Sequence, residues 1–287
     1  MKKLVPMFGV VMLILLMGSL GCGSEAEQHY KKGISYGNRG KIEMAIEEYT
    51  KAIELNPEYA EAFYHRGHDY YTLAEWTTPG SFSYAPRWDT RFDADECRDW
   101  AISDLSRAIE LRQDYWEAYY WRGAAYLSMG EYDAAIADFS KVMELEYKGL
   151  PSPFDYGVYG ARGDAYLQKG EYDSAISDFS KIIELHPKDD SAYMNRGIAY
   201  MWKGEYNSAI SDHNRAVELR VESYSGKYKY LWPKYADCYL FRGQTYQAMG
   251  LKDEALADFE KVIELTKNPK WVQAAKQGIE EVQTQSR

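Results

Sequence analysis

Residues Tyr156–Asp189 read YGVYGARGDAYLQKGEYDSAISDFSKIIELHPKD and hold two amphipathic helical patterns joined by a turn at Lys169-Gly170. In the first, Tyr159, Gly163 and Tyr166 fall at i, i+4 and i+7; in the second, Ala175, Ile176, Phe179, Ile182 and Ile183 line one face. Asp173 lies in the first turn of the second pattern, where the helix dipole favours an anion, and Pro187 stops the helix just after Leu185. One such hairpin cannot bury both apolar faces alone, so it requires neighbours of the same kind.

The rest of the chain supplies them. At a period of 34 residues the unit recurs in six copies, in which the small residue at the helix crossing is Gly33, Gly67, Gly123, Gly163, Gly197 and Gly243. An aromatic follows three places later (Tyr36, Tyr70, Tyr126, Tyr166, Tyr200, Tyr246), and a small residue opens the second buried face (Ala45, Ala101, Ala135, Ala175, Ala209, Ala255). With insertions of 22, 6 and 12 residues, the six copies fill Ala26–Pro269 without remainder. The repeats are 26–59, 60–115 (interrupted at about 77–92), 116–149, 156–189, 190–223 and 236–269, with inserted loops at 150–155 and 224–235. Residues 270–287 read as a capping helix and tail in which Trp271, Ala274, Ala275 and Ile279 cover the last repeat.

This pattern resembles the tetratricopeptide repeat family, whose helix–turn–helix unit carries W-x-x-L-G-x-x-Y followed by spaced Ala, Phe, Ala and Pro. The resemblance implies an all-α, right-handed superhelical solenoid of six repeats plus the cap. It also implies a concave groove lined by the first helices. At the family's groove positions stand Tyr30, Ile34, Tyr64, His68, Tyr71, Tyr120, Ala124, Leu127, Met194, Ile198, Met201, Leu240 and Gln244. Their mixture of aromatic, aliphatic and Met side chains suits an extended or helical peptide. The family's chaperone clamp of Lys, Asn and Arg is absent, because its places are taken by Tyr30, Ile34, His68, Tyr120 and Ala124.

A second periodicity is ionic. Arg66, Arg122, Arg162, Arg196 and Arg242 each precede the crossing glycine, while Asp104, Asp138, Asp178, Asp212 and Asp258 hold one place in the second helix. The first repeat keeps both signs as Lys32 and Glu48, which leads us to expect that these charges meet. His213 replaces the Phe of its siblings Phe139, Phe179 and Phe259, and a locally looser layer is expected there.

Met1–Gly21 lies outside the repeats. Lys2 and Lys3 precede an uncharged run from Leu4 to Leu20, then Gly21-Cys22-Gly23-Ser24. A basic start followed by an apolar stretch reads as a secretory signal, and a small residue directly before cysteine resembles a bacterial lipobox. The expectation is residues 1–21 as signal, lipid on Cys22, 22–25 as linker, and the repeats facing the periplasm or cell exterior, membrane-tethered through that lipid. An uncleaved anchor and a plain signal are the alternatives. Cys97 and Cys238 fall in the second and sixth repeats, too far apart to bridge, and read as buried thiols.

Formal charge is -10, and such an acidic surface repels phosphate backbones, so nucleic acid is a poor partner. No G-x-S-x-G, phosphate loop, H-E-x-x-H or C-x-x-C occurs, so neither catalysis nor a cofactor is expected. His65 and His68 with Glu61 and Asp69 come nearest to a metal cluster, but a polar groove wall accounts for them better. The insertions gather aromatics and cations: Phe82, Tyr84, Trp88 and Phe92 in one, Tyr228, Tyr230 and Trp232 in the other. They form either a contact surface or plugs between helices. The reading is a non-enzymatic scaffold, bound to a protein or peptide in envelope assembly or secretion; the rival is a glycan-binding module built on the insertions.

Overall fold

The computed structural model describes residues 25–77, 92–146, 155–224 and 236–284, and every regular element among them is an α-helix. The chain divides into two compact units, Met1–Gly149 and Leu150–Arg287. In the first unit, α1 (25–37) and α2 (Ile42–Leu55) are followed by α3 (Ala60–Thr77) and α4 (Ala94–Leu111), then α5 (Trp116–Ser128) and α6 (Tyr132–Glu146). The second holds α7 (Asp155–Lys169) and α8 (Tyr172–Leu185), α9 (Asp190–Lys203) and α10 (Tyr206–Tyr224), α11 (Ala236–Ala248) and α12 (Lys252–Leu265), and finally α13 (Pro269–Thr284). Each odd helix up to α11 packs antiparallel on its successor, each hairpin stacks on the next within its unit, and α13 packs on α11 and α12, which is the repeat solenoid the sequence periodicity calls for.

Two glycine columns make the hairpins. Gly40, Gly130, Gly170, Gly204 and Gly250 all have φ between 70° and 87°, a conformation that costs a Cβ-bearing residue strain. There the next residue's N–H closes back on the helix, as Glu171 N to Tyr166 O at 2.9 Å and Glu131 N to Tyr126 O at 2.9 Å, satisfying otherwise orphaned carbonyls. At the crossing, a Cβ on Gly163 would come within 2.8 Å of the Phe179 ring, and one on Gly123 within 2.9 Å of Phe139. The missing side chain lets the ring lie flat beneath the first helix; Phe139 and Phe179 are 0% and 1% exposed.

The second repeat resumes at α4 because Asp93 caps it, its carboxylate accepting from the backbone N–H of Asp95 at 2.9 Å and of Glu96 at 3.1 Å. The last helix begins with Pro269 at its first position, where a missing N–H costs nothing. It buries Ala275, Gly278 and Val282 against the last hairpin, with Trp271, Ala274 and Ile279 partly covered. A Cβ on Gly278 would meet Phe259 at 2.6 Å, so the cap packs against that ring as closely as Gly243 does from the other side.

The five arginine–aspartate pairs meet within their repeats, each bidentate: Arg122 Nε and Nη2 both donate to Asp138 at 2.8 Å, and Arg66, Arg162, Arg196 and Arg242 repeat the geometry. The third guanidinium nitrogen, where its bond is seen within a unit, reaches the preceding repeat: Arg66 to Thr50, Arg122 to Ser106, Arg196 to Ser180, Arg242 to Asn214. Each of these pairs therefore fixes the register between neighbours as well as within one hairpin. Burial pushes the Asp104 and Asp138 carboxyls up, against the hold of Arg66 and Arg122.

The first repeat departs from expectation. Glu48 is bound by His29 Nδ1 at 2.6 Å and Lys51 Nζ at 2.7 Å, while Lys32 is exposed. The reason lies in the neighbouring aromatics. Elsewhere the arginine lies beside rings three or four residues away, as Arg196 does between Tyr193 at 5.7 Å and Tyr200 at 5.9 Å. Here His29 takes the leading place and captures the carboxylate itself.

The layer at His213 is not loose. The ring is 0% exposed, and a Cβ on Gly197 would meet it at 2.5 Å. Thr245 Oγ1, also fully buried, faces His213 Nδ1 at 3.5 Å, at a place where Ala125 and Ala199 face Leu105 and Phe179. In the first unit the same two columns carry Tyr49 and Asp69, which places a polar group opposite each polar ring. Packing density is kept at the cost of a desolvated imidazole, pushed down to about 4 mainly by burial.

Candidate functional site

The first helix of each repeat presents one face that its partner helix does not cover. In the first unit that face is aromatic. Tyr30 on α1 lies 4.9 Å from Tyr59 and 5.6 Å from His65, ring centre to ring centre. Tyr64 lies 4.8 Å from both His65 and Tyr115; His68 meets Trp121 edge-on at 4.5 Å, and Tyr71 and Tyr120 flank that indole at 5.5 and 5.2 Å. All of these but Tyr115 are half-buried, which leaves ring edges in reach of a ligand while the packing holds their orientation. Burial raises the Tyr64 and Tyr71 phenols to about 12, so both stay neutral donors.

Tyr115 and Trp121 do not stand among the sequence-predicted groove residues, and His65 stands there only as part of a polar wall. The signal was an aromatic ring one residue after a groove position, Tyr64 before His65 and Tyr120 before Trp121. Ile34 and Leu127 are half-buried on the same helices as predicted groove aromatics. His65 stacks on Tyr49 at 5.8 Å, and burial takes it down to about 4, so it acts as one more neutral ring. Among the described residues no group of three or more His, Cys, Asp or Glu is placed to hold a metal ion. His68 turns Nδ1 to Asp69 at 3.6 Å, and burial raises that carboxyl.

In the second unit Met194, Met201 and Gln244 are half-buried, but Ile198 and Leu240 are 6% and 4% exposed and belong to the core. They were expected in the groove wall. The stacking of successive hairpins instead carries Ile198 into the cluster around Phe179 and Ile182, and Leu240 into the one around Phe259 and Val262. Between α7 and α9 lies a polar pair that is not among the expected groove residues: Asn195 Nδ2 donates to Asp164 Oδ1 at 3.3 Å. Asp164 occupies the column of Ile34, His68 and Ala124, so the signal was present. In the same unit Arg220, on α10, is held between Asp190 and Asp237.

Cys22 and the insertion residues Phe82, Tyr84, Trp88, Tyr228, Tyr230 and Trp232 lie outside the described residues. Phe92 is described. It faces Trp100 edge-on at 6.4 Å and, with Ile42, Met44, Leu73, Trp76 and Thr77, lines an apolar cavity of about 250 Å³. Cys97 and Cys238 are fully buried thiols in separate units, pushed up by burial to about 11 and about 12. No helix among the described residues is long and apolar enough to cross a membrane.

A profile described as "TPR repeat" matches residues 33–73, 99–130 and 163–204, and profiles described as "Tetratricopeptide repeat" match 116–146 and 189–268. The chain belongs to the tetratricopeptide repeat family. Human serine/threonine-protein phosphatase 5 is 30% identical over 126 residues, 44% of this chain but only 21% of the phosphatase. The tetratricopeptide likeness therefore spans about a fifth of that enzyme. Among solved structures, PilW, described as a widely conserved type IV pilus biogenesis factor, superimposes with a TM-score of 0.62 at 15% identity, over 86% of this chain and 96% of PilW. YrrB, described as a TPR protein with an unusual peptide-binding site, gives 0.54 at 20% identity, over 80% of this chain and 97% of YrrB. Both show the shared fold alone.

Proposed function

We propose that this protein is a lipid-anchored, extracytoplasmic scaffold that binds an extended or helical segment of another protein along its first helices, without catalysis of its own. The observation that carries the binding part is the run of half-buried rings from Tyr30 through His65, Tyr64, His68 and Trp121 to Tyr71. Rings packed on one another yet open at their edges are already ordered, so a peptide laid over them loses little further side-chain entropy on their account. The fold is shared with a peptide-binding repeat protein and with a pilus biogenesis factor, and envelope assembly or secretion is the setting this reading takes. The basic start, apolar run and Gly21-Cys22 support export and lipidation.

Cross-linking in intact producing cells, followed by affinity capture, tests the binding. The triple variant Tyr64→Ala, Tyr120→Ala, Met194→Ala runs beside the parent. A dominant protein partner lost in the variant is the expected result; a partner retained moves the site away from these helices, and no partner at all ends the scaffold reading. Metabolic labelling with a fatty acid, lost in Cys22→Ala, tests the anchor.

A further inference from the structure

Repeat four lacks the bulky side chain its siblings carry at one position of the first helix, which lies on the groove wall in all of them but the last. Tyr30, Tyr64, Tyr120, Met194 and Leu240 occupy the column in which α7 has Gly160. A Cβ built on Gly160 would meet only the Ile182 side chain, at 3.8 Å, an ordinary contact. The next residue, Ala161, is also small, so among the described residues of this unit one turn of α7 carries nothing larger than a methyl group there.

Asp164 sits one helical turn beyond Gly160, on the same face. Its carboxylate accepts from Asn195 and has no ion pair among the described residues. Burial alone raises it to about 6. The residue keeps some exposure, yet protein surrounds the carboxyl itself closely enough to strip it of water. The cations on the helices packed nearby are held elsewhere: Arg162 of α7 by Asp178, Lys181 of α8 by Glu184, Arg196 of α9 by Asp212, and Lys203 of α9 by Asp173 and Glu205. A desolvated carboxylate at the end of a bare helix turn is a half-built ion pair.

We propose that the bare turn at Gly160–Ala161, with Asp164 and Asn195 at its end, is a subsite for one basic side chain, Arg or Lys, of the bound segment. This rests on the peptide-binding reading above. A long aliphatic stem would lie over Gly160, where other repeats place a ring, and the cation would reach Asp164 while Asn195 keeps the carboxylate oriented. The site takes a cation in its ionised form, so affinity falls as pH drops through about 6.

The test uses the full chain and arrays of nonapeptides synthesised in pairs, one member with Arg and the other with citrulline, which keeps the shape and removes the charge. The expected result is a preference for Arg of tenfold or more at pH 7, on the order of one well-placed charge pair. It should shrink about five- to tenfold between pH 7 and 5, because Asp164 passes from mostly ionised to mostly protonated. Asp164→Asn should abolish the preference. Gly160→Tyr should abolish it with the carboxylate left in place. Equal binding of both members overturns the subsite and leaves the peptide groove standing. If no nonapeptide binds, carbon-13 NMR of Asp164 decides. Propylguanidinium that lowers its pKa supports the subsite without the peptide reading, and an unmoved pKa overturns the subsite.

Discussion

Asp164→Asn should make the protein more stable, and the size of the gain can be worked from the structure. The carboxyl moves from an ordinary value of 3.8 to about 6 on folding, caused by burial. At about 1.4 kcal/mol per unit, the ionised group costs the native state at most about 3 kcal/mol. Partial exposure lowers this, and about 1.5–3 kcal/mol is the expected gain at pH 7.5. Asparagine keeps an acceptor for Asn195 and fills the same volume, so no other term changes sign. Because the folded pKa is the higher one, the folded form holds its proton more tightly. Stability from this group is therefore present in full below the unfolded value and lost as pH rises through about 6. At pH 5 the parent is already mostly protonated at Asp164, and the gap between variant and parent should narrow by about half. Urea unfolding followed by circular dichroism at pH 7.5 and 5.0 measures both gaps. His213 titrates in the same unit, but identically in parent and variant, so it cancels in the difference. A variant less stable than the parent at pH 7.5, or a gap that ignores pH, would refute the desolvation argument. A stability gain together with a lost preference for arginine would mark Asp164 as a residue kept for binding against its own cost to the fold.

Three further outcomes follow from the core. Arg122→Ala should lower unfolding free energy by about 3–5 kcal/mol, because it strands Asp138 without its cation, whereas the double replacement Arg122→Met, Asp138→Leu should unfold within about 1–2 kcal/mol of the parent. Burial depresses the His213 imidazole from 6.5 to about 4, so its stability contribution is present above pH 6.5 and lost as pH falls through about 4. His213→Phe with Thr245→Ala, which copies the Phe179–Ala199 layer, should remove an acid loss of up to about 3 kcal/mol, seen as a flatter unfolding profile between pH 7 and 4. Gly278→Val should cost about 1–3 kcal/mol by overpacking, since its Cβ position lies 2.6 Å from the Phe259 ring, and hydrogen exchange should show α12 and α13 opening first.

Sequence alone determined the hairpin and its recurrence. The reason is that a periodic array repeats every local constraint: a glycine that must adopt positive φ, a glycine beneath a ring, and an arginine beside an aspartate each appear at fixed intervals. Each copy checks the others. The paired polar replacements Tyr49 with Asp69 and His213 with Thr245 were equally present in the string. Their partners sit 20 and 32 residues apart in successive repeats, however, and only the stacked layers show which columns face each other.

Tertiary structure decided the site. A groove column predicts which helix face a residue occupies, but not how far the next hairpin covers it, so Ile198 and Leu240 passed from wall to core while Trp121 joined the wall. Lys32 and Glu48 had matching signs and columns, yet His29 lay closer to the carboxylate. Asp164 needed both the open turn at Gly160 and the depth of its carboxyl to become visible, and neither is a property of one residue. Burial and charge compensation depend on distances between repeats, and those are set only when the layers pack.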